Sequence, residues 1–236
     1  MLYGTIKKRC GNGDFAMMIT AQTKGDKTKE KIVEISKELF RQKGYDQVLI
    51  KDISSAAGIA AGNLNYYFPT KETIAYEIVD RYIERINGYI DQSMPELTHY
   101  YAKMLNLWLI YFSNIFNDKN ALRFYKEMVN KKKNHHSIMI HGMDTVYRSI
   151  INAFGIDMSK FDYKYFTYAD LGARQEILLD YLNGYFPELS VVNLYRIIQT
   201  NTMRLLGIDP NQFESMINEV IENIGKYDFS HIKLLE

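Results

Sequence analysis

The chain has 236 residues, of which 47% are hydrophobic and 24% are charged, and this ordinary mixture predicts a soluble globular protein with one or two domains. Its single cysteine excludes an internal disulfide and fits a reducing cytoplasm. Four prolines and few alternating apolar runs argue against a β fold, so the predicted fold class is all-α.

The 29 basic and 28 acidic residues nearly cancel, but they are unevenly distributed along the chain. Residues 1–72 contain 12 basic and 8 acidic residues, whereas residues 73–236 contain 17 and 20. The N-terminal part therefore carries the positive charge that contact with nucleic-acid phosphates requires.

Residues 1–26 are predicted to form a flexible arm. Their apolar stretch from Phe15 to Ile19 is too short for a signal peptide. A helix is then predicted from Lys27 to Lys43, because apolar side chains recur along one of its faces, and Gly44 ends it.

The segment from Lys51 to Glu72 predicts two short helices joined by a tight turn, which is the layout of a helix-turn-helix. Gly58 stands where the first helix must end, and glycine adopts left-handed backbone angles at little cost. Leu64 and Phe68 face inward at positions i and i+4 of the second helix. A tight corner in an ordinary helical core is the alternative, but the exposed asparagines and tyrosine favour a DNA-binding domain at residues 27–72.

This N-terminal domain resembles the TetR family of transcriptional regulators over about Thr28 to Ile78. The matching residues are Ile32–Phe40, Gly44, Tyr45, Lys51–Ile53, Ala57–Ile59, Gly62, Leu64, Tyr67, Phe68, Lys71 and Glu72. The resemblance implies a repressor that binds a palindromic operator as a homodimer and is released by a small molecule. It also implies that residues 73–236 form a helical ligand-binding and dimerisation domain.

Four positions depart from the family pattern. Val48 and Leu49 replace residues whose hydroxyl groups cap a helix and touch phosphate. Ala60 replaces a capping serine, and Asn65 replaces a tyrosine. These departures leave open an alternative function, in which the chain is a helical interaction protein with a degenerate DNA-reading unit.

We expect the side chains around the second short helix to contact double-stranded DNA. Asparagine can donate and accept at base edges, as it does with adenine, and a capped helix start favours phosphate. The expected base and groove contacts are Ala61, Asn63, Asn65 and Tyr66, and the expected phosphate contacts are Lys51, Tyr67, Thr70 and Lys71.

A run of helices is predicted after this domain. Their approximate ranges are 71–91, 96–116, 120–133, 137–154, 160–183, 189–206 and 210–224. The longest apolar stretch, from Met104 to Phe116, is too short and too often interrupted by polar residues to span a bilayer, so no membrane partner is expected.

The chain lacks the usual sequence signs of catalysis. No paired carboxylates, nucleophile elbow or glycine-rich phosphate loop stands out, so we do not predict an enzyme, although a helical enzyme with a site in the second region is a further alternative. We expect no cofactor and no metal, because no cysteine or histidine spacing suggests zinc. The adjacent His135 and His136 would point in different directions on a helix.

The second region is rich in aromatic residues and methionine, and walls of such side chains suit an apolar or flat effector. Any one of these aromatic or methionine residues is more often part of the packed core than part of the lining of a ligand pocket. The candidate pocket residues are Tyr101, Met104, Leu105, Trp108, Phe112, Phe124, Met128, Met143, Tyr147 and Phe166.

The helices predicted at 160–183 and 189–206 each carry a row of mostly apolar residues at helical spacing, which favours pairing with a second copy of the chain. The second short helix, which would act as the DNA-reading helix, covers few base pairs. Specific binding therefore needs two symmetric half-sites, with the two reading helices about 34–36 Å apart. The candidate interface residues are Tyr168, Leu171, Gln175, Leu178, Leu182, Val192, Tyr195, Ile198, Thr202 and Leu205.

The helix predicted from Lys71 to Asp91 begins in the DNA-reading domain and ends in the second region. We predict that an effector changes the packing of that region and thereby tilts this helix. The two reading helices would then no longer match successive grooves. Such coupling requires that the effector bind the two arrangements with different affinity.

Overall fold

The computed structural model describes residues 23–98, 100–131, 143–144, 146–160 and 162–236. Regular secondary structure in this part of the chain is helical, which confirms the predicted all-α class. The helices are α1 (Lys24–Lys43), α2 (Ile50–Ala57), α3 (Ala61–Tyr67), α4 (Lys71–Ser93), α5 (Tyr100–Asn117), α6 (Lys119–Val129), α7 (143–144 and 146–153), α8 (Tyr163–Leu182), α9 (Val191–Leu205) and α10 (Pro210–Ile224). Among these described helices, none has the length and apolarity needed to cross a membrane.

Helix α1 begins three residues earlier than the sequence predicted. The Asp26 N–H donates to Thr23 Oγ1 at 3.1 Å, and the Thr23 N–H donates to Asp26 Oδ2 at 3.0 Å. This reciprocal capping box satisfies two backbone donors at the helix start. Residues 24–26 are therefore helical rather than part of an arm, and residues 1–22 of the predicted arm lie outside the described residues.

Helices α1, α2 and α3 share one small apolar core. Phe40 of α1, Ile53 of α2 and Leu64 of α3 are all fully buried. Gly58 separates α2 from α3 with a left-handed φ of 64°, and the Ile59 N–H donates to the Ser54 carbonyl at 3.0 Å. The tight turn is therefore formed as the sequence predicted.

Helix α4 connects this N-terminal unit to the rest of the molecule. One of its faces is buried and contains Ile74, Ile78, Tyr82 and Ile86, and the helix packs against both α1 and α5. Ion pairs also tie α1 to α4, with Lys29 Nζ 2.7 Å from Glu77 Oε2.

Helix α5 lies at the centre of the second region and packs against α4, α6, α9 and α10. Helices α8 and α9 pack on each other, and the Tyr195 hydroxyl of α9 donates to the Leu105 carbonyl of α5 at 3.0 Å. Helix α6 ends at Val129, earlier than predicted. His135 and His136 lie outside the described residues.

Residues 225–236 fold back over the junction between the two regions, which the sequence did not predict. Asn114 Nδ2 of α5 donates to the Phe229 and Ile232 carbonyls at 2.9 and 2.8 Å. Lys37 Nζ of α1 donates to the Glu236 carbonyl at 3.3 Å. This return segment therefore contacts both the N-terminal unit and the central helix.

Candidate nucleic-acid interface and internal cavity

Helix α3 presents a polar surface on a firmly anchored backbone. Leu64 and Phe68 are buried, whereas Asn63, Asn65 and Tyr66 are exposed, with 81% of Tyr66 accessible. Ala61 is exposed on the same short helix. The structure therefore brings the four residues predicted to contact bases onto one accessible helix.

The helix start at α2 does not depend on a hydroxyl group. Asp52 Oδ2 accepts the Leu49 N–H at 2.9 Å, which satisfies one of the free backbone donors at this helix start. Val48 is fully buried and contributes to the core, while Leu49 is half exposed. At α3, Ala60 provides no side-chain cap. Val48 thus has a structural role in the core that is unrelated to phosphate.

The residues predicted to contact phosphate have different surroundings. Lys51 and Thr70 are exposed, and Thr70 Oγ1 accepts the Thr73 N–H at 3.3 Å, so it caps α4. Tyr67 is half-buried, and its ring meets the Tyr66 ring edge-on at 5.2 Å.

The ammonium group of Lys71 makes its hydrogen bonds within the chain. Its Nζ donates to the Tyr45 and Val48 carbonyls at 2.6 and 2.8 Å and lies 4.2 Å from the Tyr45 ring centroid. Burial lowers the pKa of this ammonium group, and the charge of Lys131 lowers it further. Lys71 therefore fastens the start of α4 to the turn between α1 and α2.

Two exposed lysines at the start of α1 lie close to the end of α3 but were not predicted as DNA contacts. Lys24 and Lys27 lie within two residues of Gly25, where an added Cβ would lie 3.6 Å from the Tyr67 hydroxyl. The close approach shows that the α1 start is adjacent to the end of α3. The Thr23–Asp26 capping pattern is the sequence signal that would have placed these lysines on a helix.

A cavity of about 90 Å³ lies between α4, α5, α6, α7, α8 and α9. Its lining residues are Tyr76, Val79, Ile83, Trp108, Tyr111, Phe112, Tyr125, Met128, Met143, Leu171, Arg174, Gln175, Leu178 and Ile198. Four of them were predicted for the pocket, namely Trp108, Phe112, Met128 and Met143. The other pocket predictions, Tyr101, Met104, Leu105, Phe124, Tyr147 and Phe166, are buried in the core without lining this cavity.

The residues predicted for a subunit interface divide between the interior and the surface. Leu171, Gln175, Leu178 and Ile198 line the cavity, and Tyr195 and Thr202 are buried. Leu182 is partly buried against the core, whereas Tyr168, Val192 and Leu205 are exposed. Most of the predicted stripe faces inward, because α8 packs on α9 and α9 packs on α5.

A buried polar cluster stands at one side of the cavity. Asp170 is fully buried and accepts hydrogen bonds from Tyr147 Oη at 2.6 Å, Arg174 Nε at 2.6 Å, Asn201 Nδ2 at 2.8 Å and Thr202 Oγ1 at 2.9 Å. Burial raises the pKa of the Tyr147 hydroxyl, and the neighbouring Asp170 charge raises it further. The hydroxyl therefore remains a donor to the carboxylate.

Helix α6 touches the cavity on one side and the N-terminal unit on the other. Tyr125 and Met128 line the cavity, while Phe124 packs against Phe40 of α1 with ring centroids 5.2 Å apart. Glu127 Oε2 accepts the Asp46 N–H at 2.8 Å. Gly44 leaves room for this contact, because a Cβ there would lie 2.9 Å from the same oxygen.

Residues 32–78 match the family described as bacterial regulatory proteins, tetR family. The chain is 23% identical over 87 residues to the HTH-type transcriptional repressor KstR2 of Mycolicibacterium smegmatis, a match that covers 37% of this chain and 42% of the relative. It is 28% identical over 79 residues to the HTH-type transcriptional regulator EthR of the same organism, covering 32% and 36%. The chain thus spans less than half the length of these curated relatives.

The solved structure of RolR in complex with resorcinol superposes with a TM-score of 0.58 at 16% identity, and the match covers 82% of this chain and 94% of that one. At this identity the likeness shows a shared fold, which extends from the helix-turn-helix into the second helical region. The family match therefore assigns residues 32–78, which contain the helix-turn-helix, to the N-terminal domain of bacterial regulatory proteins of the tetR family.

Proposed function

We propose that this protein is a transcriptional regulator that binds an operator in double-stranded DNA as a homodimer and releases it when a small molecule occupies the cavity. The observation that carries the proposal is the exposed polar surface of α3, which is held in place by the buried Leu64. Exposed amides on a short anchored helix suit the base edges of a major groove.

The proposed DNA contacts follow from exposure. Asn63, Asn65 and Tyr66 are assigned to bases and groove walls, and Ala61 to a thymine methyl group. The lysines Lys24, Lys27 and Lys51 are assigned to phosphates, because they are exposed near α2 and α3. This assignment moves the phosphate contact away from Lys71, whose ammonium group is already bound to two carbonyls.

The outer face of α8 and α9 supports the proposed homodimer. Tyr165 and Tyr168 of α8 and Ile197 and Leu205 of α9 are large apolar or aromatic side chains that are exposed in one subunit. Such residues clustered on two adjacent helices favour a partner surface. A two-fold dimer would also supply the second reading helix that specific DNA binding requires.

A glycine on this face allows a direct test of the dimer. Gly172 is exposed on α8, and a Cβ placed there meets no atom within 4 Å in the subunit. Gly172→Glu should therefore leave the subunit folded but place a charge in the interface. Sedimentation should show a monomer for this variant and a dimer for Gly88→Glu, a matched change in α4 where a Cβ is also unobstructed. A dimer for Gly172→Glu would contradict the assignment of this face.

Two helices support coupling between the cavity and the DNA-reading unit. Helix α4 lines the cavity with Tyr76 and Val79 and starts at the reading unit. Helix α6 lines it with Met128 and contacts the turn before α2 through Glu127. A ligand that favours another packing of these helices would change the distance between the two reading helices.

Selection of DNA from a random pool tests the core of the proposal. The purified chain should enrich an imperfect palindrome, and the affinity for that sequence should exceed the affinity for unrelated DNA by about 10³ or more. If no sequence were enriched at low salt, the alternative of a helical interaction protein with a degenerate reader would be favoured instead.

A further inference from the structure

We propose that the effector is a neutral, single-ring aromatic molecule with a hydrogen-bonding oxygen, and that Arg174 recognises this oxygen. The inference rests on the proposed function, because it takes the cavity as the effector site. It goes beyond that function by naming the chemical class of the effector and the residue that selects it.

Arg174 supplies the polar contact. Its side chain is only 11% exposed, and it lines the cavity among aromatic and aliphatic residues. A guanidinium group has five N–H donors. Nε donates to Asp170, and Nη2 donates to Thr202 Oγ1. The hydrogen bonds of Arg174 to other described residues are made by Nε and Nη2, and we assign the two N–H groups of Nη1 to the ligand.

Asp170 acts as the positioning residue for this arginine. It lies one helical turn before Arg174 and is itself fixed by Tyr147, Asn201 and Thr202. A side chain held in this way loses little further conformational freedom when a ligand binds. The donor is therefore preorganised at the cavity wall.

The charge balance selects a neutral ligand. Asp170 and Arg174 form a neutral pair, with Nε 2.6 Å from Oδ2. A ligand carboxylate would add an uncompensated charge to a wall made otherwise of apolar side chains and neutral polar groups, and burying such a charge is costly. A phenolic or carbonyl oxygen would accept the same hydrogen bond without that cost.

The size and lining limit the ligand to one ring. The cavity measures about 90 Å³, whereas an engineered cavity of about 150 Å³ holds a benzene molecule. Met128 and Met143 lie in the wall, and flexible methionine side chains can shift to admit one ring. Trp108, Phe112 and Tyr111 then offer aromatic faces and edges to it.

The single tryptophan gives a readout that needs no DNA. Trp108 lines the cavity, so its fluorescence in the full chain reports occupancy directly. Phenol, toluene and benzoate are the probes, since phenol and toluene have similar shape and benzoate adds the charge. We expect phenol to bind roughly tenfold or more tightly than toluene, because a hydrogen bond to a charged donor is gained. Benzoate should bind more weakly than phenol.

Substitution of Arg174 completes the test. Arg174→Met should reduce the preference for phenol over toluene to less than about threefold, because the donor is lost. The double substitution Asp170→Asn and Arg174→Met removes both charges together and provides a folded variant if the single one fails to fold. Arg148→Met is the matched control, since Arg148 forms the same i, i+4 ion pair with Asp144 on the surface.

The outcomes separate this inference from the proposed function. Equal binding of phenol and toluene, tighter binding of benzoate, no binding of any probe at millimolar concentration, or an unchanged preference without Arg174 would each overturn it. If phenol bound through Arg174 but left operator affinity unchanged, the inference would stand, and the proposed release mechanism would fail.

Discussion

The N-terminal unit and the helical region behind it place their polar groups in opposite ways. Around α3 the apolar residue Leu64 is buried and the amides of Asn63 and Asn65 are exposed. Around the cavity the relation is reversed, because Asp170 is fully buried and Arg174 nearly so. An extended polar partner needs accessible donors and acceptors, whereas a small molecule can be selected by a few groups already removed from water.

The largest expected effect belongs to the buried cluster. Asp170→Ala leaves the Arg174 guanidinium without its counter-ion in the interior, so we expect the free energy of unfolding to fall by about 3–5 kcal/mol. Urea denaturation at one fixed protein concentration measures the loss. The control is Asp91→Ala, which removes the partner of Lys103 on the surface and should cost less than about 1 kcal/mol. Equal losses would mean that burial does not distinguish the two pairs.

Local determinants explain why the helix-turn-helix could be predicted from the sequence. The turn depends on Gly58, and the orientation of α3 depends on Leu64 and Phe68, which lie within a few residues of one another. The family match over residues 32–78 falls on this same segment. The all-α fold class and the exposure of the polar residues on α3 could therefore be predicted without knowledge of tertiary contacts.

The second region was harder to predict because helical spacing does not show which stripe faces inward. On α8 the stripe through Leu171 and Leu178 lines the cavity, while the neighbouring face with Tyr165 is exposed. Both faces have helical spacing, and only the packing of α8 on α9 decides between them. The internal contacts of Lys71 and the return of residues 225–236 likewise depend on partners far away in the chain.

Tyr66→Ala tests the exposed polar surface of α3. Because Tyr66 is 81% exposed, we expect its loss to change the free energy of unfolding by less than about 0.5 kcal/mol. If Tyr66 contacts bases, operator affinity should fall by roughly tenfold or more, measured by fluorescence anisotropy. Tyr185→Ala is the control, since that tyrosine is also largely exposed but lies between α8 and α9. An equal loss of operator affinity for Tyr185→Ala would contradict the assignment of Tyr66 to base contact.

Lys51 and Lys71 allow the same comparison between an exposed and an internally bound polar group within the N-terminal unit. Lys51 is exposed, so Lys51→Met should reduce the slope of log affinity against log salt by about 1, as one lost phosphate contact predicts. Lys71 is bound to two carbonyls, so Lys71→Met should leave that slope unchanged and lower the free energy of unfolding by about 1 kcal/mol. Salt titrations of operator binding and urea denaturation of both variants measure these quantities. A reduced slope for Lys71→Met would return this lysine to the phosphate contacts.

The smallest expected effect lies at the junction of α1 and α4, where the charges are partly exposed. Burial alone would raise the pKa of Glu77, but hydrogen bonds from Lys29 and Arg81 outweigh it and hold that pKa below its usual value. The folded chain therefore binds this proton less readily than the unfolded chain does. The resulting stabilisation is complete above the ordinary glutamate pKa of about 4.3 and is lost as the pH falls through the lowered folded-state value.

Glu77→Gln should accordingly be less stable than the unchanged protein near neutral pH, by less than about 1 kcal/mol. The difference in free energy of unfolding should shrink below about pH 4, because the unchanged protein then loses the same charge. Urea denaturation of both proteins at several pH values measures this difference. A difference that persisted at acid pH would show that Glu77 acts through packing rather than charge. The α1–α4 junction would then resemble the buried cluster at Asp170. There, removal of one group leaves its hydrogen-bond partners unsatisfied, whatever the pH.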